Sequence, residues 1–436
     1  MPLSRLSRLA PAILLAAAPL NAALVAQTPG SLPVPADNPR VRAALATIKT
    51  DNAWTLEQQT SICQIPAPPF KEARRGVEYR RRLAALGLRN VRIDSVGNVI
   101  AERPGSGGGP TVVIAGHLDT VFPEGTNVTV KRTGTRFAAP GIGDDCRGLA
   151  VVLAAARAMQ QAGVQTKGTI YFIGNVGEEG PGNLRGVRHL FGKEMKGKID
   201  YFISVDGTGL DVTNRAVGSN RYKVTYKGPG GHSYGAFGIP NPIHALGRAM
   251  AQIAEIEVPK TPKTTFNVGV ISGGTSVNSI PFEASMEIDM RSESPASVAT
   301  VDAKVQKILV DALNAENERW ARTTGERAVQ AKLSLQIDTI GIRPANSAQS
   351  DSARIVATAL AAGRALGFTA GTGASSTDSN IPMSLGIPAI TIDGGGRGSG
   401  AHALSEWYDD GENGWLGPQW AVLILSALAG IRELQP

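Results

Sequence analysis

Thr111-Val112-Val113-Ile114-Ala115-Gly116-His117-Leu118-Asp119-Thr120 is an apolar run that closes on a glycine, an imidazole and a carboxylate. A continuous apolar run bounded by Gly predicts a strand buried on both faces. Working outward, the same signal returns at 169–173, 201–205 and 389–392. Between these runs the spacing turns helical. After Asp144-Asp145, the residues Leu149, Val152, Leu153, Ala156 and Met159 share one face, and Gly163 ends the segment. Residues 188–195 form a further helical segment. Strands alternating with helices predict an α/β fold, a mostly parallel sheet in a three-layer αβα sandwich.

The flanks extend this reading. Residues 39–63 and 72–86 read as helices, and 91–94 and 98–102 as short strands. After Arg215 the pattern changes to strand 221–227, helix 242–256, strands 265–271 and 282–291, helix 297–322 and strand 333–340. That order, βαββαβ, predicts a ferredoxin-like α+β unit inserted into the α/β domain. The α/β pattern then resumes with helix 352–366, strand 389–392 and helix 415–434. The expected organisation is one α/β domain in two parts, 27–215 and 341–436, with an inserted domain at 216–340.

Arg5 and Arg8 precede an apolar stretch from Ala10 to Ala26 that ends in small residues. This predicts a signal peptide over residues 1–26 and a secreted or periplasmic protein. Pro11, Pro19 and Asn21 interrupt the stretch, and no later segment is long and apolar enough to span a bilayer. The net charge of +7 is diluted over 436 residues without a dense basic run, which argues against nucleic-acid binding. Cys63 and Cys146 make no disulfide framework.

Four further segments resemble the opening one in what they offer at a strand end: Gly143-Asp144-Asp145, Gly177-Glu178-Glu179-Gly180, Val205-Asp206-Gly207 and Gly400-Ala401-His402. In an open α/β sheet, ligands gather at the carboxyl ends of strands. Asp144, opening a helix, would have its carboxylate held by backbone N–H groups. Imidazoles combined with carboxylates suit zinc, or else cobalt or manganese. A His-x-Asp, a Glu-Glu pair or an Asp-Gly turn is ordinary alone. Their shared position at strand-to-loop junctions is not.

These motifs resemble the zinc exopeptidase and deacylase family that contains peptidase T, carboxypeptidase G and acetylornithine deacetylase, over nearly the whole chain. The resemblance implies two zinc ions per chain. By it, His117, Asp144, Glu179, Asp206 and His402 are metal ligands, with Asp144 bridging. Asp119 orients His117, and Glu178 is the general base. The family's Lys after the bridging Asp is absent from Asp144-Asp145-Cys146-Arg147-Gly148, so the choice between Asp144 and Asp145 stays open. In the insertion, Gly228-Pro229-Gly230-Gly231-His232-Ser233 resembles the motif whose histidine reaches the reacting carbonyl, often across a dimer. Asn278 and Arg291 resemble contacts to a substrate carboxylate, for which the Arg fork is suited. His189 and His244 match no motif and read as structural; Glu124 reads as loop surface. The implied activity is hydrolysis of short peptides. Alternatives are an N-acyl amino acid deacylase or carboxypeptidase-like amidase, or a catalytically silent metal- or peptide-binding homologue. The resemblance also implies that the two-part α/β domain is catalytic and that the inserted domain, 216–340, is a lid or dimerisation domain through which a homodimer forms.

Overall fold

The computed structural model describes residues 30–324, 331–346 and 348–432. The expected signal peptide lies outside them. The central sheet has eight strands. In spatial order these are Arg89–Ile93, Val99–Arg103, Ile170–Asn175, Val112–His117, Tyr201–Val205, Ala389–Ile392, Val212–Ala216 and Thr372–Ser375. The four central strands run parallel. An antiparallel hairpin flanks them on one side, and Val212–Ala216 turns antiparallel on the other.

Each central strand buries both faces, which is why it reads as a continuous apolar run. Val112 and Ile114 face a layer built from helices Pro39–Thr50, Cys146–Gln161, Arg354–Ala365 and Leu416–Ala429. Val113 and Ala115 face the opposite layer, with Leu184, Val187, Phe191 and Ile381. Helix Cys146–Gln161 crosses very close to the strand ends. A Cβ on Gly148 would sit 2.3 Å from the Val205 carbonyl oxygen, so only glycine fits there.

Residues 218–343 form a separate four-stranded antiparallel sheet. Its order is Thr264–Gly273, Glu283–Ser292, Gly218–Lys227, Ser334–Arg343. Helices Pro242–Ala254 and Pro295–Thr324 cover one face, sharing a core of Val224, Met286, Ile288, Leu246 and Val305. Where the chain leaves the central sheet, Ala216 pairs with Asn346, where it returns. Their two N–H···O bonds measure 2.8 and 3.0 Å.

Several local expectations need correction. The helix expected over 39–63 is two helices, Pro39–Thr50 and Asn52–Cys63, broken at Asp51. Asp and Asn compete with helical backbone hydrogen bonds, and the Asp51 carboxylate is drawn to Arg157 at 2.7 Å. Strands Val212–Ala216 and Thr372–Ser375 carry too little apolar sequence to announce themselves. A small antiparallel sheet is equally silent in the sequence: Lys131–Thr133, Arg136–Ala138, Trp407–Asp409 and Arg397–Ser399. Cys63 and Cys146 are both free and buried.

Candidate metal centre

The parallel strands deliver their carboxyl ends to one edge, and there the polar residues converge. His117, the last residue of its strand, is 1% exposed. Its Nε2 lies 3.0 Å from Asp144 Oδ1, and its Nδ1 lies 3.1 Å from the backbone carbonyl of Asp119. The second contact fixes the tautomer and leaves Nε2 to face the centre. The Asp119 carboxylate stands 3.7 Å from Nδ1. It accepts instead the backbone N–H groups of Glu178 and Glu179, at 3.1 and 2.8 Å. So Asp119 orients His117 through its carbonyl and the Glu178-Glu179 turn through its carboxylate.

Asp144 sits between the two imidazoles. Its Oδ2 lies 3.2 Å from His402 Nε2, which is also 3.0 Å from Glu179 Oε1. The expectation that helix N–H groups hold the Asp144 carboxylate is not met. Asp145 is the N-cap: its Oδ1 accepts from Gly148 N at 3.0 Å and its Oδ2 from His117 N at 2.8 Å. His117 forms two possible metal-ligating groups, one with Asp144 and Glu179, the other with Asp145 and Asp206. Because both Asp145 oxygens are committed to backbone donors, Asp144 is the freer of the two.

Electrostatics point the same way. Burial alone would disfavour the His117 imidazolium, yet Asp144, Asp145 and Asp119 outweigh it and push its pKa up. His402 is pushed up to about 10 by its bonds to Asp144 and Glu179. Burial followed by repulsion from Asp144 raises Asp206 to about 7. Asp378, bonded to Asn175 at 2.6 Å, is raised by burial to about 6. Glu178 is raised too, by burial, although Arg343 opposes the shift. Carboxylates packed this densely repel one another, and divalent cations would remove that repulsion. The residues therefore fit the implied metals: nitrogen and oxygen donors, buried, with surplus negative charge.

Asp144, Glu178, Glu179, Asp206 and His402 line one cleft of about 410 Å³, together with Arg221, Arg291 and Arg343. Arg343 ends the last strand of the inserted sheet and bonds Glu178 Oε1 at 2.9 Å; it also donates to the Glu178 carbonyl. Arg291 and Arg221 share Asp289 at 2.6 and 2.8 Å. A larger groove, about 500 Å³, lies between helix Asn52–Cys63 and the 131–138 hairpin. Its lining, including Leu56, Val130 and Phe137, carries no comparable set of ligands.

His232 and Asn278 do not line the cleft of their own chain. They sit together on the inserted unit, where His232 pairs with Ser279 in a short ladder and Ser233 N donates to the Asn278 carbonyl at 2.9 Å. His232 is exposed, and its Nδ1 accepts from the N–H groups of Tyr234 and Gly235 at 3.3 Å. His189 contacts Ser95 Oγ at 3.3 Å, and His244 lies 3.6 Å from Glu316. A further cluster of Asp94, His189 and Glu194 is occupied by turn and ion-pair contacts: Asp94 Oδ1 takes three backbone N–H groups and Glu194 pairs with Arg92. Glu124 is a surface partner of Lys71.

Sequence reasoning missed Arg343, Arg221, Asp378 and Glu406. Only Glu406 carried a signal, four residues beyond His402.

Comparison with known proteins gives a consistent result. The family model described as peptidase family M20/M25/M40 matches residues 113–414. Succinyl-diaminopimelate desuccinylase of Bordetella avium (strain 197N) is 29% identical over 249 residues, 52% of this chain and 65% of that relative's length. Aminopeptidase PepT from Bacillus cereus ATCC 10987 superposes with a TM-score of 0.67 at 20% identity, covering 86% of this chain and 98% of that one. The Bacillus subtilis YXEP protein, described as a dinuclear metal-binding peptidase, does so with a TM-score of 0.62 at 19% identity, covering 87% and 98%.

Proposed function

Since this chain belongs to peptidase family M20/M25/M40, we propose that it is a secreted di-zinc exopeptidase that hydrolyses amide bonds of short peptides. The observation that carries this reading is the Asp144 carboxylate lying between His117 and His402, with Glu178 in the same cleft. His117 and Asp206 would hold one metal, His402 and Glu179 the other, and Asp144 both. Bound metal supplies Lewis-acid polarisation of the scissile carbonyl and lowers the pKa of an attacking water. Glu178 takes the proton of that water on its carboxylate and returns it to the leaving nitrogen. Arg343 and the Asp119 carboxylate fix the position of Glu178, one through its side chain and the other through its backbone N–H. Arg291 offers a guanidinium to the substrate carboxylate. Arg5, Arg8 and the apolar run to Ala26 support secretion.

The inserted unit supports a homodimer. Tyr234, Phe237, Val277 and Phe282 are exposed around His232, and Val270 and Ile271 are exposed on the edge strand Thr264–Gly273. An apolar sheet edge of this kind is a template for pairing. His232 and Asn278 would then complete the site of the partner subunit, which explains their distance from the cleft of their own chain.

Deacylation of N-acyl amino acids is the second reading. The three arginines of the cleft suit an acidic acyl group, and one relative is a desuccinylase. Incubating the zinc-loaded protein with di- and tripeptides and N-acyl amino acids, followed by mass spectrometry of the products, separates the readings. Absence of hydrolysis across the panel at full metal loading refutes both.

A further inference from the structure

His402 occupies the hairpin loop between Arg397–Ser399 and Trp407–Asp409. Its φ is +67°, in the left-handed region. A non-glycine residue there is strained and persists only where its surroundings enforce it. Within the loop, Ala403 N bonds the Gly400 carbonyl and Glu406 N bonds the Ala403 carbonyl. Those bonds shape the turn but do not aim it at the other candidate ligands.

Glu406 supplies the aim. Glu406 is 2% exposed, and its carboxylate accepts three backbone N–H groups of the opposite loop: Gly141 at 2.6 Å, Gly143 at 2.8 Å and Asp144 at 2.9 Å. Its own carbonyl accepts Ala139 N at 3.2 Å. One side chain thus ties the hairpin of His402 to the loop of Asp144 through charge-assisted bonds, the stronger class. The fit is close, since a Cβ on Gly143 would stand 3.2 Å from Glu406 Oε1. His117 and Asp206 reach the centre on parallel strands and receive nothing from Glu406.

We propose that Glu406 is a positioning residue that sets the separation of His402 from Asp144, and so selectively supports the metal site these two share with Glu179. The proposal rests on the di-metal reading above. An anchor of this kind is worth ~10–100-fold in metal affinity, and the effect falls mainly on one site, because that site has both His402 and Asp144 under its control and the other only Asp144.

The test uses the full chain, stripped by chelator and titrated with Zn²⁺ alone, reading stoichiometry and stepwise affinity by calorimetry and elemental analysis. Glu406→Gln turns one acceptor into a donor facing backbone donors. The expected result is two ions bound, with one step weakened ~10–100-fold and the other changed much less. Gly143→Ala displaces the same carboxylate from the loop side and should weaken the same step by a smaller factor. It decides the matter if Glu406→Gln does not fold by circular dichroism. Equal weakening of both steps, or no change in either variant, overturns the proposal. A wild-type chain that takes up fewer than two ions overturns the di-metal reading itself, and this proposal with it.

Discussion

The carboxyl edge of the central sheet and the turn of the inserted unit each present a histidine, but in opposite settings. At the sheet edge, His117 is buried, and both ring nitrogens and its backbone N–H have partners. On the insertion, His232 is exposed among exposed Tyr234, Phe237 and Val277, its ring held by two long contacts. The contacts of His117 all come from its own chain. The second histidine stands in a surface of exposed apolar side chains, the setting we propose for contact with a second chain. Buried polar groups are held by hydrogen bonds, whereas an exposed apolar rim around a loosely held imidazole is the kind of surface that partners use.

The largest expected effect breaks the buried side. Glu178→Ala should retain two metals and an unchanged circular dichroism spectrum while turnover falls ~10²–10⁴-fold. Turnover within a few-fold of wild type, with metal loaded, would remove Glu178 as the base. On the exposed side, His232→Ala should lower kcat by ~10²–10³-fold, as for loss of one oxyanion donor, with a smaller change in KM. Mixing His232→Ala chains with Glu178→Ala chains should restore part of the activity, because one site per heterodimer is whole. An active monomer by light scattering, with no recovery on mixing, would mean that His232 serves its own chain.

Two smaller effects sharpen the contrast. Asp144→Ala should abolish binding of at least one metal ion, while Asp145→Ala should mainly destabilise the fold, by ~0.5–2 kcal/mol for the lost cap. Elemental analysis and thermal unfolding distinguish them, and the reverse pattern would exchange the two aspartates. The metal-free protein should also respond to pH. Asp206 and Glu406 are raised to about 7, and Asp378 to about 6. Their folded state therefore holds protons that the unfolded state has released, and stability falls as pH rises from about 4 to 7. The unfolding temperature of the stripped chain should drop over that window, and zinc should reverse the drop. A stripped chain equally stable at pH 5 and pH 7.5 would show that these carboxylates are not desolvated.

The sequence carried the two architectural patterns because each leaves a periodic trace: apolar runs for strands buried on both faces, and βαββαβ for the insertion. Among the candidate ligands, Asp144, Glu179 and His402 lie in loops and were placed by the resemblance of their motifs, whereas His117 and Asp206 were legible for the same reason, each following such a run by one or two residues. Arg343 was not, because the strand Ser334–Arg343 is half exposed and its last residue meets Glu178 only after the insertion folds back. Asp378 follows no apolar run at all. The division of labour between Asp144 and Asp145 was equally hidden, since it depends on which carboxylate turns toward the backbone.

The Ala216–Asn346 pairing has a consequence for how this molecule could be taken apart. The chain departs for the inserted unit and comes back at a single paired point, so residues 217–345 hang from the end of strand Val212–Ala216 and the bridge residue Asn346. Such an arrangement is a graft: its roots touch, and cutting both and joining them by a short turn would leave the eight-stranded sheet with every strand it has now. The scaffold that presents the five candidate ligands and the unit that carries His232 can then be inherited, exchanged or engineered as separate parts.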